Sequence, residues 1–502
     1  MLKGFTRIFK PLEILNEEQI EAIHTGTLDV LRRTGIRFES EKVLKLFEKN
    51  GCQVDYSNNR VRFSEGLVED CLRKCPSSFH VKARNSKNDM IWGGNTTYFQ
   101  ALSGTKSIDL DTFEPITPTR KEYYDAITIL DALDNIHIVP WYTPWFGFKN
   151  IPSVMSMPEG LAARLRNSSK FICANYSMGC EVFNIEMAQA VGAELRTAMA
   201  AAPPLTFYSD AVESAYRVIE AGFILLITSG SAYGGTSPAT IVGSLISSNA
   251  EITAGIVLAQ LIKPGTRVIV QDFGFPQNMR SGSPAFGAIG ISLHQAAFNQ
   301  IWRKYEIPTD GGVSFPSSKK IDYQAAYEKT ITSFIGALSG TNTIWIQGAL
   351  YGELAFHPVQ AIIDDDLVGM IGRFLEGIEV NDETMALDLI NDVGPIPGHY
   401  LNEAHTRKWW KKEQFVPKVA DRLTYPEWLK TGKKDCIDYA KKRYDEILST
   451  HKVNPPLTDS QENNIEEILK KAREYYRKKG LISSEEWSSY KKDLESTNYP
   501  YA

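Results

Sequence analysis

A chain of 502 residues is longer than one compact hydrophobic core usually holds, so we expect one large domain with additions, or two domains. Hydrophobic residues make up 43% of the chain, which is ordinary for a globular protein and excludes a disordered one. The formal net charge of −5 is small for this length and argues against a protein that binds nucleic acid through a basic surface.

The cellular compartment is indicated by the apolar runs and by the cysteines. No stretch approaches the roughly 18 consecutive apolar residues of a membrane-spanning helix, and the first residues lack the apolar run of a signal peptide. Six cysteines are dispersed through the chain, which is typical of reduced thiols and not of a disulfide framework. We therefore expect a cytoplasmic protein that does not bind a membrane.

The first 120 residues are predicted to form an α+β cap region. Apolar residues at helical spacing predict two helices between residues 17 and 50. Short β-rich runs follow between residues 52 and 120, separated by turn signals such as Gly93-Gly94. A helix is then predicted from Arg120 to Leu133.

Strands and helices alternate after this helix, as in a series of βα units. Eight strands are predicted: His137–Tyr142, Phe171–Tyr176, Leu205–Tyr208, Ile224–Thr228, Arg267–Phe273, Ile307–Asp310, Thr343–Gln347 and Met385–Ile390. Eight such units indicate an α/β fold, the (β/α)₈ TIM barrel, over residues 121–440, with a C-terminal helical extension over 441–502. An open doubly wound sheet is the alternative, but no G-x-G-x-x-G motif follows the first strand.

The carboxyl ends of the strands carry function in a TIM barrel. Here the predicted ends are mainly aromatic and neutral polar, with a few carboxylates, so we expect neither a metal site nor a nucleophile–histidine pair. An aromatic, weakly acidic cavity suits a cationic ligand, because ring faces attract cations. The alternative is that Trp141, Tyr142 and Trp145 only pack the top of the barrel, and that Asp310-Gly311-Gly312 is a turn.

Several motifs resemble those of the trimethylamine methyltransferase family, the corrinoid-dependent methyltransferases of methanogens and anaerobic bacteria. The segment 318–329, SKKIDYQAAYEK, resembles the helix D-A-K-x-x-D-x-Q-A-G-Y-E-K of that family, and Leu338–Asn342 resembles its L-A-G-A-N turn. His399-Tyr400-Leu401 and Phe415-Val416-Pro417 resemble its C-terminal signature. The resemblance extends from about residue 10 to about residue 450, and it implies the same barrel fold.

The resemblance also implies a reaction. The archaeal trimethylamine enzymes carry pyrrolysine, whereas this chain has ordinary residues throughout, as do family members that resemble glycine betaine methyltransferases. We therefore expect transfer of a methyl group from a quaternary amine, glycine betaine first, to Co(I) of a partner corrinoid protein, giving dimethylglycine. The corrinoid is expected on the partner, with no cofactor or metal on this chain. Alternatives are another betaine (proline betaine or carnitine), a TIM-barrel lyase, and a ligand-binding protein.

The candidate site residues follow from their positions after the strands. Asp310 and Gln347 are predicted to be the catalytic pair, with Asp310 supplying charge that compensates the cation. The cation is expected among four aromatic side chains, those of Trp141, Tyr142, Tyr208 and Tyr351. The carboxylate of the substrate is expected to meet donors such as Asn175, Gln347 and His357. We also expect a homo-oligomer, because two amphipathic helices in residues 435–490 offer surface to bury.

Overall fold

The computed structural model of the protein describes residues 4–142 and 144–501. A layer of short strands and helices precedes the barrel. Its elements are β1 (Phe5–Thr6), α1 (Glu17–Asp29), β2 (Ile36–Phe38), α2 (Glu41–Lys49), β3 (Gln53–Asp55), β4 (Arg60–Arg62), α3 (Glu65–Arg73), β5 (Ser78–Val81) and β6 (Met90–Gly93).

The barrel and its connections follow in the next stretch of chain. Its elements are β7 (Thr96–Ala101), β8 (Ser107–Ile108), β9 (Pro115–Ile116), α4 (Arg120–Ala132), β10 (Ile138–Val139), α5 (Ser156–Asn167), β11 (Phe171–Ala174), α6 (Glu181–Val191), β12 (Leu195–Ala200), β13 (Thr206–Phe207), α7 (Ser209–Glu220), β14 (Ile224–Ser229), β15 (Ala232–Tyr233), α8 (Ile241–Ile262), β16 (Val268–Asp272), β17 (Phe275–Pro276), α9 (Ile289–Lys304), β18 (Gly312–Val313), α10 (Tyr323–Ser339), β19 (Thr343–Gln347), β20 (Ala349–Leu350), β21 (Ala355–Phe356) and α11 (Pro358–Leu375).

The regular elements described after α11 are helices joined by loops. They are α12 (Asp382–Met385), α13 (Leu387–Val393), α14 (Ala404–Gln414), α15 (Tyr425–Lys430), α16 (Cys436–Thr450), α17 (Asp459–Lys478) and α18 (Ser484–Leu494).

In the described part of the chain, eight parallel strands close into a barrel. Their order is β7, β10, β11, β12, β14, β16, β18 and β19, and β19 pairs with β7. Strand β16 joins the residues just before β18 through a parallel bridge between Val270 and Thr309, and the Asp310 amide donates to the Val270 carbonyl at 2.8 Å. A helix follows every barrel strand along the chain. The predicted (β/α)₈ fold is therefore confirmed.

Three assignments within the predicted barrel are wrong. The first barrel strand is β7, inside the segment assigned to the cap, where short β-rich runs separated by turn signals were predicted. The segment predicted as the strand Leu205–Tyr208 contains β13, which pairs with β2 outside the barrel. The barrel strand at this position is β12, whose charged Arg196 interrupts its apolar pattern. Residues 385–390 belong to the helices α12 and α13, so the βα repeat ends with α11.

The amino-terminal end of the barrel is plugged by the β5–β6 hairpin. Phe79, Met90 and Trp92 of the hairpin belong to the hydrophobic core inside the barrel. The Trp92 indole Nε1 donates to Thr343 Oγ1 of β19 at 2.9 Å. With this end filled by side chains, a ligand would reach the interior from the carboxyl ends of the strands.

The C-terminal helices pack on the barrel of their own chain. Helix α16 packs against α11 and α4, and α17 packs against α5 and α6. Glu159 of α5 is fully buried and accepts hydrogen bonds from Arg120, Arg473 and Tyr490, which ties α17 and α18 to the barrel. The amphipathic faces expected to mediate self-association are thus covered within the chain.

Among the residues that the structure describes, one helix is long and apolar enough to cross a membrane by length and composition alone. This helix is α8, and most of its apolar length is buried inside the protein. It packs against α1, α3 and β14. In this fold α8 is a core helix.

Candidate active site at the carboxyl end of the barrel

Aromatic side chains converge where the barrel strands end. Trp141 lies just after β10, Phe273 after β16 and Phe315 after β18, and all three pack on the hydrophobic interior of the barrel. The Trp141 ring meets the Trp345 ring edge-on, with centroids 5.0 Å apart. Phe286 lies 5.4 Å from Phe315 between ring centroids. We call this group the aromatic mouth, and it consists of Trp141, Tyr142, Tyr176, Phe273, Phe286, Phe315 and Tyr351.

Two tyrosines of the aromatic mouth have unusual backbone conformations. Tyr142 has φ of 57° and Tyr351 has φ of 47°. Both values fall in the left-handed backbone region, which residues other than glycine rarely adopt. Such residues persist where surrounding contacts hold them, and they cluster at functional sites. Asn175 Nδ2 donates to the Tyr142 hydroxyl at 3.1 Å, and the Tyr351 amide donates to the Ser318 carbonyl at 2.7 Å. These hydrogen bonds help to hold both residues in their left-handed conformations at the mouth.

Glu353 is the carboxylate that belongs to this mouth. Burial raises the pKa of Glu353 to about 7, and among residues 4–142 and 144–501 no donor lies within hydrogen-bond distance of it. Burial and the nearby Glu353 charge raise the pKa of the Tyr142 hydroxyl. A desolvated carboxylate without a partner favours the approach of a cation. The sequence places Glu353 after β19, but only the tertiary structure brings it near Tyr142, which follows β10.

Asp310 lies deeper, inside the barrel, and its charge is already paired. Its Oδ2 lies 2.5 Å from Arg196 Nη1, and its Oδ1 accepts from Trp345 Nε1 at 2.6 Å. Arg196 also donates to Gln100 Oε1 at 3.0 Å. The Arg196 guanidinium lies over the rings of Trp92 and Trp141. Its Cζ atom is 5.2 Å from the first ring centroid and 5.3 Å from the second. Complete burial raises the pKa of Asp310, while Arg196 and Trp345 oppose that rise.

Gln347 turns away from the mouth. A β-bulge in the pairing of β19 with β7 falls between Trp345 and Gln347. Gln347 Nε2 donates to the Asn135 carbonyl at 3.3 Å, and the Asn135 amide in turn donates to Asp365 of α11. The predicted catalytic pair is therefore divided between the barrel interior and the surrounding helices, since Asp310 faces Arg196 and Gln347 faces the helix layer.

The other predicted substrate residues are partly brought together. Trp141, Tyr142 and Asn175 are neighbours in the mouth, and Tyr351 joins them through Phe286, 6.5 Å away between ring centroids. Tyr208 is half-exposed at the start of α7 and lies outside the aromatic mouth.

His357 caps α11, with its Nδ1 accepting from the Val359 amide at 3.1 Å. It lines a separate cavity of about 330 Å³ with Asp109, Trp145 and Lys441. Burial and the Lys441 charge lower the pKa of His357 to about 4. The structure thus places the ring away from the substrate position that we predicted for it.

A second buried polar group lies between β14, β16 and the helices α8 and α9. Asp272 Oδ2 lies 2.6 Å from His294 Nε2, and Ser229 Oγ donates to Glu251 Oε2 at 2.7 Å. Burial raises the pKa of Glu251 to about 7, although Ser229 opposes this. Within the part of the chain that the structure describes, no group of three or more His, Cys, Asp or Glu side chains is arranged to hold a metal ion.

Comparison with known proteins identifies the family. The family model described as trimethylamine methyltransferase (MTTB) matches residues 1–476. The chain belongs to this family. It is 31% identical over 460 residues to the glycine betaine methyltransferase of Desulfitobacterium hafniense (strain Y51), covering 89% of this chain and 94% of that protein. It is 27% identical over 467 residues to the trimethylamine methyltransferase MttB of Methanosarcina thermophila, covering 88% and 94%.

The protein is accordingly a methyltransferase, as the sequence motifs predicted. Among solved structures it is similar to the monomethylamine methyltransferase (MtmB) of Methanosarcina barkeri, with 12% identity, a TM-score of 0.45, and coverage of 91% of this chain and 92% of that one. The fold assignment itself depends on the strand pairing described above.

Proposed function

We propose that this methyltransferase moves one methyl group from a small quaternary amine, glycine betaine first, to Co(I) of a partner corrinoid protein. The methyl C–N bond breaks and its electron pair leaves with the nitrogen, giving the neutral tertiary amine. A C–Co bond forms with the electron pair of Co(I), which becomes Co(III). No proton is required, because the amine is already a neutral leaving group. The glycine betaine activity of one relative supports this choice of substrate.

The observation that carries the proposal is the desolvated carboxylate of Glu353 beside the aromatic mouth. A quaternary ammonium has no N–H to donate, so ring faces and a nearby negative charge must hold it. Each desolvated contact of a cation with an aromatic face contributes up to about 2 kcal/mol. Tyr142 and Tyr351 supply such faces, and Glu353 takes the role of compensating charge that we had assigned to Asp310.

The main catalytic contribution proposed for the protein is to orient the methyl group of the bound cation. The aromatic mouth lies at the open end of a barrel whose other end is plugged by Trp92 and its hairpin. A bound cation would therefore present one methyl group outward, toward a corrinoid protein docked over the mouth. Holding two reactants in line can contribute about 7–11 kcal/mol to lowering a bimolecular barrier.

Lys319 is proposed to bind the carboxylate of a betaine. Its Nζ lies 4.0 Å from the Tyr351 ring centroid, at the rim of the mouth, on an exposed part of the chain. Of the donors predicted from sequence, Asn175 is bonded to Tyr142, and Gln347 and His357 face elsewhere. Lys319 at the rim of the mouth would bind the carboxylate of a betaine, and Glu353 at its wall would attract the quaternary ammonium.

The reaction is proposed to take place in the cytoplasm. All six cysteines are free thiols, as expected in a reducing compartment, and Co(I) is itself strongly reducing.

The proposal is tested by mixing the purified chain with a corrinoid protein reduced to Co(I) and following the loss of Co(I) absorbance. Glycine betaine, proline betaine, carnitine and trimethylamine serve as donors, and samples without the chain serve as the blank. We expect glycine betaine to react fastest. Equal or faster reaction of trimethylamine would refute the substrate, and no reaction with any donor would refute the transfer.

Two variants locate the site. E353Q is expected to lower kcat/KM by about tenfold or more, which corresponds to losing about 1.4 kcal/mol of cation stabilisation. The matched control is E474Q, on the exposed face of α17. K319M is expected to raise KM for glycine betaine but not for tetramethylammonium, which has no carboxylate. If K319M affects both donors equally, Lys319 does not contact the carboxylate.

A further inference from the structure

A buried cation lies one aromatic ring away from the mouth. Arg196 of β12 is completely buried inside the barrel. Its guanidinium carbon lies 5.2 Å from the ring centroid of Trp92, in the hairpin plug, and 5.3 Å from that of Trp141, in the aromatic mouth. Water and salt screen the charge of such a buried group only weakly, so its electric field extends into the mouth.

Asp310 is the counter-charge of Arg196. One of its carboxylate oxygens lies 2.5 Å from Arg196 Nη1, and the other accepts a hydrogen bond from Trp345 Nε1 at 2.6 Å. Within the described part of the chain, no second carboxylate forms an ion pair with Arg196. The two side chains are therefore neutral as a unit, and both oxygens of Asp310 have partners inside the barrel.

The distance from Arg196 to the mouth decides how much this neutrality matters. A cation that contacts an aromatic face lies within about 6 Å of the ring centroid. A quaternary ammonium on the mouth side of Trp141 would thus lie roughly 10 Å from the Arg196 guanidinium. At an effective dielectric constant of about 20, two unit charges at this distance repel each other strongly enough to weaken binding about tenfold. An uncompensated Arg196 would therefore oppose the binding of a cation.

We propose that Asp310 determines the affinity of the aromatic mouth for a cation without contacting it, because it cancels the charge of Arg196. This inference rests on the proposed function, since it requires a quaternary ammonium in the mouth. Asp310 is then a positioning residue that acts through Arg196, whereas Glu353 is the carboxylate beside the ligand. The alternative is that the Asp310–Arg196 pair only stabilises the fold.

Steady-state methyl transfer to the corrinoid protein, measured below the unfolding temperature of each variant, tests the proposal. D310N is expected to raise KM for glycine betaine by about tenfold. The kcat is expected not to fall, because the positive charge leaves the amine as the methyl C–N bond breaks. R196M/D310N removes both charges and is expected to return KM to within about twofold of the wild-type value. This double variant is informative even if D310N does not fold, because an Asp310 that contacted the ligand would leave its KM raised.

A neutral analogue of the cation separates charge from shape. In 3,3-dimethylbutanoate a carbon atom replaces the quaternary nitrogen, so the molecule keeps the shape and the carboxylate of glycine betaine but not its positive charge. Its inhibition constant is expected not to rise in D310N. A rise equal to that of KM would show that the mouth had lost its shape, and it would overturn the proposal.

D131N is the matched control for the loss of a buried carboxylate. Asp131 is buried and accepts hydrogen bonds from Ser168 Oγ and the Ser169 amide, just before β11 and therefore at the end of the barrel opposite the mouth. D131N is expected to lower stability and to leave KM unchanged.

The remaining outcomes distinguish this inference from the proposed function. If wild type demethylates glycine betaine but KM is unchanged in D310N, or stays raised in R196M/D310N, only the role of Asp310 is overturned. If wild type neither binds nor demethylates a quaternary amine, the proposed function and this inference are both wrong.

Discussion

Replacing Asp310 with asparagine keeps the size of the side chain and removes its charge. The Arg196 guanidinium would then stay charged inside the barrel, where both side chains of the pair are completely buried. In the native protein the two are 2.5 Å apart, Trp345 donates to the other Asp310 oxygen and Arg196 Nη2 donates to Gln100, whereas among the described residues Arg196 Nε has no partner. The D310N variant thus leaves a buried charge without its counter-charge.

The complete burial of the pair determines how much stability the D310N variant loses. Removing one partner of a buried ion pair lowers the free energy of unfolding by about 3–5 kcal/mol, because the desolvated charge that remains has no compensation. The double variant R196M/D310N removes both charges and keeps an acceptor for Trp345 Nε1. We therefore expect it to be more stable than D310N alone, by about 2 kcal/mol or more.

The assay is urea unfolding followed by tryptophan fluorescence. Trp92, Trp141 and Trp345, three of the nine tryptophans, surround the pair, so part of the emission change reports the unfolding of the barrel itself. The shift of the midpoint is converted with the slope measured for the same transition. D445N, an exposed aspartate on α16, is the control and is expected to change stability by less than about 0.5 kcal/mol.

One result would refute this reasoning. If D310N unfolds at the wild-type urea concentration while KM for the quaternary amine rises tenfold, the carboxylate faces the ligand and not Arg196. Asp310 would then hold the compensating charge predicted from the sequence, and Glu353 would not.

Three further predictions concern charge and backbone geometry. The kcat/KM for a quaternary amine should rise between about pH 6 and pH 8, because burial raises the pKa of Glu353 to about 7 and the ionised form attracts the cation; E353Q should lose this pH dependence. Burial tends to raise the pKa of Glu159, but Arg120 and Arg473 outweigh it and hold the pKa at about 2, below the ordinary 4.5. The stabilisation from Glu159 is therefore complete above about pH 4.5 and lost as the pH falls toward 2, so pepsin should cleave residues 459–501 increasingly over this range. Gly348 has φ of 90°, and a β-carbon there would overlap the Phe356 ring. Placing a residue other than glycine in the left-handed region costs roughly 1–2 kcal/mol by itself, so G348A should lower the free energy of unfolding by more than this amount.

Each of these predictions has a control or a contrary outcome. A kcat/KM that is flat in pH for wild type would show that Glu353 does not titrate near pH 7. For Glu159, E159Q should already release the C-terminal helices at neutral pH, and equal pepsin resistance at pH 5 and pH 2.5 would contradict the role of the ion pairs. G51A is the matched control for G348A, because Gly51 has φ of 83° but open space around its α-carbon; equal losses would exclude the clash.

The alternation of strands and helices was predictable because it depends on local patterns. Helix α4 was predicted to begin at Arg120 and does so, with Thr119 and Glu122 forming a capping box within four residues of chain. Strand β19 has the predicted bounds, since its apolar run is short and follows Gly340, which ends α10 in a left-handed conformation. The motifs that identify the family also consist of residues close together in the chain, so they can be recognised from the sequence.

Positions after strands could also be predicted, but not which way their side chains point. Trp141, Tyr142 and Asn175 meet in the mouth because the carboxyl ends of parallel strands come together at one end of a barrel. Gln347 follows the same rule in sequence, yet a bulge turns it toward the helices. Neither the bulge nor the direction has a signal in the residues around it.

The sequence by itself determined the family, the methyltransferase class and the βα repeat, because these depend on residue types and on spacings within a few turns of chain. Only the tertiary structure decided which charges are paired and which are not. Asp310 meets Arg196 across the barrel although 114 positions separate them, and Glu353 lies near Tyr142, which follows a different strand. Burial and pairing are set by neighbours in space, and no local pattern of the sequence records which neighbours those are.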